Sequence, residues 1–377
     1  MPNYSISPDW VSETKQAAQG TLITADNSST SEYSWFYGMK PLIDKSVQAG
    51  QTFSNGIVST YSLIFAGLSY YQSGVLAPNG DIHFIPSIMT RGQKISPAGV
   101  VSTYSLLYSS FSGGYIGGVL ARNGDIHFIP STGAVGQKVS AAGVVSTYSL
   151  VYTTTAAYSG GVLAPNGDIH FVPAQANVGQ KVSAAGVVST YSLIYTAAGA
   201  YNGGVLAPNG DIHFVPGNNA PRGQKISPAG VVSTYSLVYT ASSAYAGGVL
   251  APNGDIHFVP RNAVVGQKIS PAGVVSTYSL VYTTSTGAYS GGVLAPNGDI
   301  HFVPRSANVG QKVSAAGVVS TYSLVYTTAT AYIGGVLAPN GDIHFVSSSG
   351  AVAQKISTLP AIPFNQGICS SPFFNKF

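Results

Sequence analysis

Charge is scarce in this chain. Only 7% of its 377 residues are Asp, Glu, Lys or Arg, against roughly 25% in an ordinary soluble domain. Such a surface has to be solvated by Ser, Thr, Asn, Tyr and backbone. The net charge of +4 is small for the length, and the basic residues are spread out. That leaves no phosphate-neutralising patch and argues against a nucleic-acid partner. A single cysteine, Cys369, excludes an internal disulfide, so packing alone holds the framework. No run of roughly 18 apolar residues occurs, so no transmembrane helix is expected. The opening MPNYSISPDW lacks a basic segment followed by an apolar run, which argues against a secretory signal and leaves the compartment open. Nucleophile elbow, phosphate loop, metalloprotease helix and dinucleotide fingerprint are all missing.

What is present is repetition. The phrase NGDIHF places all the histidines, His83, His127, His170, His213, His257, His301 and His344, at spacings of 44, 43, 43, 44, 44 and 43. A second phrase, VSTYSL, keeps step with it, its tyrosines being Tyr61, Tyr104, Tyr148, Tyr191, Tyr235, Tyr278 and Tyr322. A period near 43 is that of a propeller blade and too long for a leucine-rich horseshoe. Each unit reads as four short strands; in the third copy these are residues 144–153, 160–164, 168–172 and 179–183, rich in β-branched and aromatic types and punctuated by glycine. Between two of them Ala164-Pro165-Asn166-Gly167 reads as a type I turn followed by a left-handed glycine. The second copy has Arg122 where the others have proline, which the turn tolerates and which makes that spot basic.

The expected fold is all-β: a seven-bladed β-propeller with four-stranded antiparallel blades. Two phases are open. If GGVLA is innermost, VSTYSL forms the outer edge, and residues 57–65 supply the outer strand that the last blade lacks, so that N-terminal and C-terminal segments overlap to close the ring. If VSTYSL begins each blade, residues 50–54 become an extra copy. Residues 50–357 form the propeller on this reading. Residues 1–49 form an extension in which 33–37, YSWFY, resembles a decayed strand, and 358–377 form a tail whose Phe373, Phe374 and Phe377 suit docking on the ring or on a partner.

The repeated polar residues need a role. Asp81, Asp125, Asp168, Asp211, Asp255, Asp299 and Asp342 each precede a histidine by two, on the same side of a strand. Such pairs suggest charge-supported imidazoles or metal ligands, but successive blades stand about 10 Å apart, too far to share a zinc. Structural hydrogen bonding to the nearby hydroxyls is the stronger expectation, with no metal and no cofactor. Lysines at 94, 138, 181, 225, 268, 312 and 355 also recur, and read as solvent-facing charges near strand edges. A tyrosine precedes each small-residue pair: Tyr71, Tyr115, Tyr158, Tyr201, Tyr245, Tyr289 and Tyr332. These are the candidate contacts for a sugar or protein partner, and equally fit to cap an inter-blade core.

The GGVLAPNG phrase, with PNGDIHFVP, resembles a recurrent propeller-type repeat of bacterial, protist and viral proteins of largely unassigned function. The resemblance covers residues 57–357 and departs at His83 and its equivalents and at Arg122. It implies a propeller and brings no sugar-binding motif with it. Variation among the copies gathers in the loops after VYTT and after HFVP, so the ring has one varied end and one uniform end. Catalysis usually breaks internal symmetry, and this symmetry is nearly unbroken, so the chain is not expected to be an enzyme. The expected function is a structural or display protein of a virion or other large assembly, the propeller being a rigid interaction platform. The alternative is a multivalent lectin meeting a repetitive glycan surface.

Overall fold

The computed structural model describes residues 57–65, 70–109, 113–218, 220–284, 286–348 and 352–358. The expected extension at 1–49, the YSWFY segment, and the tail beyond Thr358 lie outside the described residues. Seven four-stranded antiparallel sheets form the ring, six of them built from strands consecutive in the chain. Blade 3 is typical, with an inner strand Tyr158–Leu163, then Ile169–Pro173, Val178–Val182 and an outer strand Val188–Ser192. Inner strands of neighbouring blades touch around the axis, so the phase with GGVLA innermost is the one the protein adopts. No helix among the described residues is long and apolar enough to cross a membrane.

Blade 7 closes the ring. Its first three strands are Tyr332–Leu337, Asp342–Ser347 and Val352–Ser357, and its outer strand is Ile57–Ser62, paired antiparallel with Val352–Ser357 from Ile57↔Ser357 to Ser62↔Val352. The two ends of the repeat array therefore lie in one sheet.

Turn chemistry fixes register. In blade 1 the Gly80 amide donates to the Ala77 carbonyl at 2.9 Å, Asn79 Oδ1 accepts from the Asp81 amide at 3.1 Å, and Gly80 sits at φ +85°. This is the type I turn with a left-handed glycine that the sequence implies. The outer strand of blade 2, Val145–Ser149, ends four residues before the sequence reading placed it. There the chain leaves the sheet because the amides of Val151 and Tyr152 turn to Gln180 Oε1 of the next blade, at 3.0 and 2.8 Å.

That contact is general. Each third strand carries a glutamine with no solvent exposure. Its Oε1 accepts two successive amides from the crossing out of the preceding blade, at 2.7–3.1 Å. These are backbone donors that the ladder leaves unpaired, and the buried glutamine satisfies them.

The core is divided into seven parts, each shared by two blades. Between blades 1 and 2, Val75, Ala77 and Ile85 pack on Tyr115, Ile126, Phe128 and Val139. The inner-strand glycines make this possible. A methyl on Gly118 would lie 2.5 Å from Ile85 Cδ1 and 2.7 Å from Val75 Cγ2.

Candidate functional site

Each blade builds the same polar cluster. In blade 1 the second strand, Ile82–Pro86, holds His83, and the outer strand, Val101–Ser105, holds Tyr104. The tyrosine ring reaches across the third strand, where Gly92 leaves room: a Cβ there would fall 2.1 Å from the ring. His83 Nδ1 and the Tyr104 hydroxyl then meet at 3.2 Å, and the other six pairs at 3.1–3.3 Å. In blade 7 Ala353 replaces that glycine opposite the closing strand, and the His344–Tyr61 contact persists at 3.2 Å.

Burial pushes each imidazole down to about 4, with the neighbouring lysine ammonium adding to the effect and the aspartate opposing it. The histidines are neutral at pH 7, and each is hydrogen-bonded to a tyrosine hydroxyl. The aspartates bind lysine on the adjacent strand in all seven blades, at 2.5–2.7 Å. Burial pushes Asp125, Asp168 and Asp342 up, but the bonds from Lys138, Lys181 and Lys355 outweigh it and hold these carboxyls below the usual range. The lysines are thus third-strand partners of aspartate, and not the edge charges the sequence suggested, because pairing places Lys94 opposite His83 and beside Asp81.

The tyrosine contacts require a correction. Tyr71, Tyr115, Tyr158, Tyr201, Tyr245, Tyr289 and Tyr332 are exposed by no more than 2%. Each ring packs against the phenylalanine of the neighbouring strand, as Tyr158 does on Phe171 at a centroid distance of 5.3 Å. Five hydroxyls donate to a third-strand carbonyl at 3.1–3.4 Å, while those of Tyr158 and Tyr201 have no partner. No face is left for a sugar to stack on. Sequence could not decide this, since a tyrosine beside glycines suits a groove or a core alike.

At the uniform end, clefts open between blades. Asn253, His257 and Lys268 of blade 5 face Gly298, Ile300 and the turn at 314–317 of blade 6 across a cavity of about 110 Å³. Blades 1 and 2 enclose an equivalent cavity of about 120 Å³ beside His83 and Lys94. Typical ligand sites run from about 300 Å³, so these hold a few waters at most. Among the described residues no three His, Cys, Asp or Glu side chains gather as metal ligands.

The varied end is where equivalence breaks. A belt of backbone hydrogen bonds runs from blade to blade there: Arg261 N to Ala244 O at 2.8 Å, Ala288 N to Arg261 O at 2.7 Å, Arg305 N to Ala288 O at 2.9 Å and Ala331 N to Arg305 O at 2.9 Å. The inner-strand residue after each buried tyrosine differs from blade to blade: Gln72, Ile116, Ser159, Asn202, Ala246, Ser290 and Ile333. Ser159 Oγ and Ser290 Oγ donate across the blade boundary to Tyr201 O and Tyr332 O, at 2.7 and 2.9 Å. Comparing the copies at this one inner-strand position would have exposed the variation.

No family model and no curated relative matches the chain. Among solved structures, a streptogramin B lyase superposes with a TM-score of 0.71 at 18% identity, covering 81% of this chain and 99% of its own. Virginiamycin B lyase from Staphylococcus aureus gives 0.70 at 16% identity, covering 80% of this chain and 99% of its own, in a selenomethionine form and in a catalytically inactive histidine-to-alanine variant with quinupristin. An extracellular domain of a one-component system from B. thetaiotaomicron gives 0.59 at 8% identity, over 80% of this chain and 40% of its own. These likenesses show the seven-bladed propeller fold. They also overturn the expectation that the chain is not an enzyme, because lyases use the same ring and its regularity is no argument against catalysis.

Proposed function

We infer that this protein is a rigid interaction platform in a large assembly, such as a virion shell, meeting further copies of itself through its outer strands. One observation carries the reading: a large aliphatic side chain stands exposed just outside the outer strands. In blade 2 these are Val144 and Val151, and equivalents from Ile64 to Val325 are 54–67% exposed around the rim. The strands between them, VSTYS in six blades, carry neither charge nor proline and end their sheets unpaired. Proteins usually protect such edges with lysine, proline or bulges. An uncharged edge of this kind is self-complementary in antiparallel pairing, and seven of them point outward. The GGVLAPNG phrase accords with membership of the repeat family it resembles.

Light scattering during gel filtration tests the reading. Association that grows with concentration, and that V144S, V151S and V187S together weaken without lowering the melting temperature, is the expected result. A ring that stays monomeric at millimolar concentration would rule it out.

The lyase neighbours favour a second reading. They match over nearly their whole length, so a lyase-type activity on a streptogramin B compound is a reasonable second assignment. Quinupristin consumed in a protein-dependent manner, followed by mass spectrometry, would support it; quinupristin recovered intact would remove it.

A further inference from the structure

All seven carboxylates among the described residues are bound to the repeat lysines. The five arginines therefore have no carboxylate partner among the described residues. Two of them occupy the same loop position in adjacent blades, Arg261 in blade 5 and Arg305 in blade 6, where the other blades have Ser, Ala or Gly. Their backbones are fixed by the hydrogen-bond belt at the varied mouth.

Both side chains, each half-buried, converge on Gly287. A methyl group there would stand 3.7 Å from an Arg305 guanidinium nitrogen and 3.9 Å from Arg261 Nε. Gly287 holds φ +80° and donates its amide to Asn262 Oδ1 at 2.8 Å. The Asn262 amide nitrogen, the other end of that group, has no partner among the described residues. Burial, and after it the charge of Arg305, hold Arg261 below its ordinary pKa.

We propose that the Arg261–Arg305 pair, with the Asn262 amide, is a binding site for an oxyanion of the phosphate or sulfate class at the varied mouth. Planar guanidiniums present paired donors that match such oxygens. The missing side chain at Gly287 leaves the space between them open. The site exists once in the ring, so its ligand is bound one per chain, independently of any association through the rim.

Calorimetric titration of the full chain with inorganic phosphate, at constant ionic strength, tests it. Saturable one-to-one binding is expected, weakened at least tenfold by R261Q or R305Q and unchanged by R222Q, an arginine of another blade. R305K, which keeps the charge and loses the fork, should fall between. All these changes are at exposed or half-exposed positions, and an unchanged melting temperature without phosphate verifies folding. Phosphate binding no better than acetate, or equal binding by the wild type and both glutamine variants, would overturn the proposal.

Discussion

The seven inner-strand tyrosines share one burial but not one hydrogen bond. Tyr289 donates to Val309 O at 3.2 Å, whereas the Tyr158 hydroxyl is buried without a partner. Y289F should therefore cost about 1 kcal/mol, and Y158F should be neutral or slightly stabilising; denaturant melts of the two variants would show the difference. The histidines give a pH dependence of definite sign. Their folded value of about 4 lies below the unfolded 6.5, so the unfolded chain binds more protons in that window. Stability is full above pH 6.5 and falls as the pH drops toward 4, by up to about 1.4 kcal/mol per pH unit for each histidine. The depressed carboxyls of Asp125, Asp168 and Asp342 add a further loss only below their unfolded value near 4. Urea midpoints that stay level from pH 7 to 4.5 would contradict this. That the histidines would meet hydroxyls was legible from the sequence; that their partner is the tyrosine of VSTYSL was not, because the contact spans a whole strand through the gap at Gly92.

Within a blade, adjacent glycines do different work. A methyl on Gly161 would fall 2.5 Å from Ile129 Cδ1, and one on Gly160 would rest 3.7 Å from Gly203 Cα, an ordinary contact. G161A should thus destabilise by about 1–3 kcal/mol by overpacking, while G160A should change the thermal midpoint little. The PNG turns and the strand order could be read directly, since proline, asparagine and glycine act on their own backbone. The buried glutamine recurs in every blade, yet its role is not legible in the sequence. Its partners are amides about 30 positions earlier in the chain, and only the meeting of blades brings them together.

For the whole ring, seven near-identical units pointed to a propeller, and the choice of phase followed from where small residues fit. What repetition concealed was the sector at Arg261 and Arg305, because two arginines in surface loops carry no signal until adjacent blades place them around Gly287. Removing residues 1–62 leaves blade 7 with three strands and deprives His344 of Tyr61. The shortened chain should melt well below the full one by circular dichroism, and an equal melting temperature would mean that the closing strand is dispensable. The same closure bears on how the molecule forms. Six sheets complete themselves from neighbouring sequence, but Ile57 must find Ser357, the costliest loop in the chain to close. Of the strands described, the first to be synthesised is the one whose partner comes last. Until then it is an unpaired, uncharged edge, so refolding should show a slow phase that carries the aggregation risk and that belongs to blade 7 alone.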